Sequence, residues 1–229
     1  MIAWPCGDTL PSGRICRGLR VGRWTVAAVF ERPPAWCDAP SAEAGRLAED
    51  LVAATLGVPG GDVRVAALPP TGRPVARVAG REQDPFVSVS HVRRLLGAAV
   101  STDARVGLDI VDPADAGRGL DAFFSPDELA LVPDDVGLLR ALLWAAKEAA
   151  YKAARLDAEF RPRAVTIDGL TANGFTWIVR GRHALVEGAG RFATVGRHVV
   201  AIAATAAAVG HVRHEGHATS TGQEAVACS

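Results

Sequence analysis

Apolar positions recur in short runs along this chain, and in two stretches they change to helical spacing. Residues 23–30 form an apolar run of strand character, followed by the proline-broken ERPPAWCDAP. Ser41 reads as an N-cap, and from there to about Leu56 the residues Ala44, Leu47, Ala48, Leu51 and Ala54 share one helical face. Gly57, with Pro59 beyond it, closes that helix. Short β segments follow at Val63–Leu68, 75–79, 86–90 and Leu95–Ser101, divided by PPTGRP, GREQDP and a tighter break at 91–94.

A similar order then starts again. Residues 106–111 read as a strand that Pro113 ends. Ser125-Pro126-Asp127-Glu128 is a capping box with proline at the first helical position. Asp135 leads a long helix to about Leu156, with an apolar stripe of Leu138, Leu139, Leu142, Leu143, Ala146, Ala149, Ala150 and Ala153. Strands are predicted at 164–167, 175–180, 183–186 and 199–205. Each half thus reads strand, helix, several strands. The pattern predicts an α+β fold of two similar halves, 1–105 and 106–209, packed against each other, with a small, polar, disordered tail at 210–229.

Composition narrows the function classes. With 25 basic and 25 acidic side chains there is no net charge, which argues against a non-specific nucleic-acid binder. The best candidate for a membrane span, 199–209, is too short and alanine-rich. The opening MIAWPCGDTL has no basic region followed by an apolar one, so no secretory signal is expected. Cys6, Cys16, Cys37 and Cys228 are scattered and read as reduced thiols. A cytoplasmic protein without membrane or nucleic-acid partners is the expectation.

The basic count hides an asymmetry. Only Lys147 and Lys152 are lysines, and the single tyrosine, Tyr151, lies between them. Random placement would put two lysines this close about 4% of the time, so the spacing merits a chemical reading. Helical geometry places Trp144, Lys147, Glu148, Tyr151 and Lys152 on one side. An ordinary solvated face with a Glu148–Lys152 pair would account for this. Alternatively, two ammonium groups flanking a carboxylate suit a polyphosphate and its metal ion. Asp109, in GLDIVD, is a carboxylate among apolar neighbours: either a turn aspartate at a strand end or, with Glu148, an oxygen-donor pair for Mg²⁺. In DPFVSVSHV, Ser90 and His91 end a strand, where the histidine is either structural or a donor to a phosphate oxygen. His211, His214 and His217 in the tail have metal-ligand chemistry but no visible scaffold.

Read in order, TGRP, SVSH, GLDI, FFSPDEL and WAAKEAAYK resemble the 4′-phosphopantetheinyl transferases of the surfactin-synthetase-activating type, over Arg46 to Ile167. The resemblance implies a pseudodimer of two α+β halves, monomeric, with the active site in the cleft between them. It implies transfer of the phosphopantetheine arm of coenzyme A to a serine of an acyl or peptidyl carrier protein, with release of adenosine 3′,5′-bisphosphate. Asp109 and Glu148 would then hold Mg²⁺, or Mn²⁺, on the pyrophosphate, with Glu148 also taking the serine proton. Lys147, Lys152, Ser90 and His91 would cradle phosphate oxygens, and Gly72, Arg73 and Pro74 would lie by the adenine. Arg46 is a candidate for the 3′-phosphate, and Phe123, Phe124 and the helix after Ser125 match the carrier-facing region.

One position departs from the pattern. The surfactin-type sequence usually has glutamate two residues after the aspartate, where this chain has Val111. The smaller, trimeric holo-acyl-carrier-protein synthases read DIV at that point, so a two-carboxylate metal site is expected. Asp112, three residues on, faces the other way on a strand and is not expected to be a ligand. The alternative reading is a non-catalytic coenzyme A-binding or carrier-binding relative.

Overall fold

A computed structural model of the protein describes residues 15–33, 39–131, 137–156, 159–171, 174–181 and 184–207. Asp135, the histidines of the tail, Cys6, Cys37 and Cys228 lie outside the described residues; Cys16 is buried in the core.

The strands are β1 (Cys16–Val21), β2 (Trp24–Glu31), β3 (Val63–Leu68), β4 (Arg73–Val78), β5 (Phe86–Val92), β6 (Leu95–Ser101), β7 (Ala104–Val111), β8 (Val165–Leu170), β9 (Gly174–Arg180), β10 (Leu185–Val195) and β11 (His198–Ala206). The helices are α1 (Pro40–Leu56), α2 (Pro126–Ala130) and α3 (Gly137–Ala154). Four strands form one sheet in the order β1-β2-β6-β5, and five form another in the order β7-β11-β10-β9-β8. The hairpin β3–β4 stands as a separate two-stranded sheet. All pairings are antiparallel.

The layers run α1, four-stranded sheet, five-stranded sheet, α3. Alternation on β2 shows how this works: Ala27 and Val29 pack toward α1, whereas Val26, Ala28 and Phe30 pack toward the second sheet. On β11, Val200, Ile202 and Ala204 face the first sheet, and Val199, Ala201 and Ala203 face α3. Central strands buried on both faces need apolar residues at every position, which is why β6 and β11 read as continuous apolar runs. The strand order β2-β6-β5, with α1 packed on it, recurs as β7-β11-β10 with α3.

The two sheets also meet edge to edge. Ser88 and Ser90 of β5 accept the N–H groups of Leu108 (2.9 Å) and Ile110 (3.2 Å) on β7, both outward-pointing donors with no strand to pair. Arg155, in the left-handed region at φ 51°, crosses the same seam to the Val87 carbonyl at 3.3 Å and lies over the Phe86 ring. Burial first, then the charges of Arg73 and Arg105, lower its pKa to about 10.

Several elements differ from the sequence reading. The N-cap of α1 is Ala39, with Pro40 in the first turn; Ser41 lies inside the helix and makes no capping bond. Strand β1 was not expected, because Gly18, at positive φ, bulges it and breaks the alternation of CRGLRV. Strand β5 runs on to Val92, so His91 lies within it. Strand β10 is 11 residues long, far beyond 183–186. Its Gly188 and Gly190 pair directly with Trp177 and Phe175 of β9, and a Cβ at Gly190 would lie 1.9 Å from the Phe175 ring. Glycines that make room for aromatic rings leave no strand signature of their own. Leu138, assigned to the apolar stripe of α3, is 39% exposed.

The position of α3 rests on Gly107. An added Cβ there would lie 1.9 Å from the Ala149 carbonyl oxygen and 2.6 Å from the Ala153 nitrogen, both backbone atoms without a rotamer to relieve the clash. Gly107→Ala is therefore expected to lower Tm far beyond the ~1 kcal/mol of a typical substitution, or to abolish soluble folded protein. Thermal unfolding measures this; a near-native Tm would mean that α3 does not rest on β7.

Candidate active site

A cavity of about 900 Å³ opens beside the seam between β5 and β7. Residues from α1, the β3–β4 hairpin and β5 line it on one side, and residues from β7 and α3 on the other. Of the residues singled out in the sequence, Arg46, Gly72, Pro74, Ser90, His91, Asp109, Glu148 and Lys152 line this one space. Arg73 and Lys147 do not.

Asp109 is the centre of the polar contacts. It is 4% exposed on β7, on the face that Gly107 turns to α3. The Gly107 contact and the small residues Ala145, Ala146, Ala149 and Ala153 let the helix lie close enough for its side chains to reach Asp109. Lys152 Nζ donates to Asp109 Oδ1 at 2.6 Å and to the Leu108 carbonyl at 3.0 Å, the second outward backbone group of that edge residue. Ser90 Oγ donates to the same Oδ1 at 3.0 Å. With 32% of its side chain exposed, Lys152 still faces the cavity.

Glu148 lies in hydrogen-bonding contact with Asp109, and its pKa is raised from 4.5 to about 7. Burial contributes most, then the Asp109 charge and the bond to it; the Lys152 charge and a hydrogen bond with Trp144 act in the opposite direction. Two buried carboxylates in contact can be neutralised by a shared proton or by a divalent cation. The donor set therefore fits a hard cation held by Asp109 and Glu148. Val111 lines the cavity nearby as an apolar surface, and among the described residues no group of three or more His, Cys, Asp or Glu side chains could hold a metal. Asp112 is otherwise engaged: its carboxylate caps the turn at Pro113–Asp115 through the Ala114 N–H and pairs with Arg197. The Ala114 bond is the largest of the contacts that hold its pKa below the ordinary range.

Donors also gather around the start of α1. His91 Nε2 lies 3.0 Å from Ser41 Oγ, joining β5 to the first turn of the helix. Arg46, one turn further on, lines the cavity and pairs with Glu43. First-turn N–H groups favour anions, so this corner is suited to a phosphate. Ser41 read as an N-cap in sequence because its polar neighbour lies 50 residues away.

Lys147 requires a correction. It is 1% exposed and faces away from the cavity, although the helical spacing had put both lysines on one side. Adjacent helical residues differ by about 100°, so only one of Lys147 and Glu148 can face Asp109. Lys147 Nζ instead pairs with Glu128 at 2.7 Å and donates to the carbonyls of Pro162 (3.1 Å) and Val165. Glu128 closes the expected capping box on Ser125 and also accepts the Ile167 N–H at 2.9 Å. Its second task was invisible in the motif. Tyr151 packs on Phe160, which also touches Trp144, and Trp144 in turn meets Phe123. Arg73 falls between Gly72 and Pro74, both of which line the cavity, and strand alternation turns it to the other face.

Residues 105–203 match the family model of the 4′-phosphopantetheinyl transferase superfamily. That stretch contains Asp109, Glu128, Lys147, Glu148 and Lys152. No curated protein matches the chain. No described helix is long and apolar enough to cross a membrane.

Two expectations follow from these charges. Lys147→Ala leaves Glu128 buried without its partner and is expected to cost about 3–5 kcal/mol, and Lys147→Arg about 1–3 kcal/mol through overpacking, both read by denaturant unfolding. Near-native stability of the alanine variant would refute the buried pair. In metal-free protein, the folded chain holds a proton on Glu148 between pH 4.5 and about 7 that the unfolded chain has released. Stability should therefore fall as pH rises through that window. Melting curves of Glu148→Gln should lose this part of the fall; an unchanged slope would contradict the raised pKa.

Proposed function

We propose that the chain transfers the 4′-phosphopantetheine arm of coenzyme A to a serine of an acyl or peptidyl carrier protein, releasing adenosine 3′,5′-bisphosphate. The observation that carries this reading is the Asp109–Glu148 carboxylate pair, in contact and beside Lys152 in one cavity. The superfamily match over 105–203 supports the same chemistry. The recurring strand order supports reading 1–105 and 106–209 as a pseudodimer within one chain. The type proposed is the surfactin-synthetase-activating one, acting as a cytoplasmic monomer.

Asp109 and Glu148 would hold Mg²⁺, which when bound neutralises charge on the pyrophosphate. The side chains supply the rest. Arg46, Ser41 and His91 donate to phosphate oxygens at the start of α1, and Gly72 and Pro74 offer a low surface for the base. Lys152 places a compact cation by the reacting phosphate. The serine oxygen of the carrier bonds to the nearer phosphorus as that atom's bond to the bridging oxygen breaks. The bisphosphate leaves with the electron pair, and the serine proton passes to Glu148, directly or through water. Glu148 lies beside Asp109 and Lys152 in the same cavity, which puts a carboxylate within the site to accept that proton.

Incubation with coenzyme A, Mg²⁺ and several apo carrier proteins should add the mass of one phosphopantetheine to at least one carrier. Glu148→Gln should lower the rate by about 10²–10⁴. Coenzyme A binding with no mass gain on any carrier would instead favour a non-catalytic binding relative, the reading that Val111 keeps open.

A further inference from the structure

Ser88 and Ser90 stand two residues apart on β5, and strand alternation gives both hydroxyls the same direction, toward β7. Both are buried, and each accepts one backbone N–H across the seam, from Leu108 at 2.9 Å and from Ile110 at 3.2 Å. As seam contacts the two are equivalent. They differ in where the hydroxyl proton goes.

A serine hydroxyl has one proton to donate. That of Ser90 points to Asp109 Oδ1 at 3.0 Å, the oxygen that Lys152 also holds at 2.6 Å. Two donors on one oxygen restrain the rotation of the carboxylate, and the first of them spends its proton within the protein. We infer that Ser90 is a positioning residue, orienting Asp109 for a divalent cation rather than donating to a phosphate oxygen. The inference rests on the reading of Asp109 and Glu148 as a cation site. It also assigns Ser90 a second link: the hydroxyl that aims the carboxylate accepts the Ile110 N–H, so the first half of the chain sets the geometry of a ligand carried by the second.

Ser88 supplies the matched control, because it makes the same kind of seam bond and donates to no carboxylate among the contacts described. The test is Mn²⁺ binding in the absence of coenzyme A, followed by the electron paramagnetic resonance signal of free Mn²⁺, on the wild type, Ser90→Ala and Ser88→Ala, with thermal melts of all three. Ser90→Ala should weaken Mn²⁺ binding by about 10- to 100-fold, as loss of a ligand's hydrogen-bond partner does elsewhere. Ser88→Ala should bind Mn²⁺ as the wild type does while losing a similar amount of thermal stability.

Unchanged Mn²⁺ affinity in Ser90→Ala, with a raised KM for coenzyme A, would overturn the inference and give the hydroxyl to a phosphate. Equal losses of affinity in both variants would also overturn it, since opening of the seam alone would then be the cause. Failure of the wild type to bind Mn²⁺ would remove the cation site, and this inference with it. Wild-type binding with unaffected Ser90→Ala leaves the cation site standing and removes only the role given to Ser90.

Discussion

Helix α3 lies against the backbone of β7 at Gly107, with the Ala149 carbonyl where a side chain would otherwise stand. Two residues further along β7, on the same face, Asp109 meets Glu148 and Lys152 of that helix. A methyl group at Gly107 would push the helix away and separate Lys152 from Asp109, which it contacts at 2.6 Å. The close approach is made possible by small residues on both sides, alanines on the helix and glycine on the strand. The polar site is thus a consequence of an apolar packing decision.

The same helix carries two polar networks on different sides. Facing the cavity, Glu148 and Lys152 interact with Asp109 in a set with two carboxylates and one ammonium, and burial, followed by the neighbouring negative charge, raises the Glu148 pKa. Facing away, Lys147 and Glu128 form a balanced pair with backbone groups satisfying the remaining hydrogen bonds. The balanced network needs nothing further and holds α2, α3 and β8 together. The unbalanced one is left with a demand for a proton or a cation, which is what suits it to chemistry.

Much of the fold was legible in the chain. The strand, helix and capping-box signals at 63–68, 95–101 and 125–128 match the structure because local alternation and turn chemistry suffice there. Strands β1 and β10 were hidden because glycine carries no periodic signal, and the glycines of β10 make sense only against the rings of β9. Ser41 looked like a cap because local patterns cannot reveal a partner on another strand. Lys147 looked functional because it is rare and adjoins Glu148, and rarity does not report direction.

From sequence alone came the types of residue that could act and the order in which they occur: GRP, SVSH, GLDI and WAAKEAAYK, with a carboxylate and a lysine set four apart on one helical face. Those relations are local, and backbone geometry transmits them without outside help. Tertiary structure alone decided which lysine enters the cavity, which serine proton is spent on Asp109, and that Ser41 meets His91. Each depends on where a second element lies after the sheets, helices and seam have packed, and no spacing within a single segment contains that information.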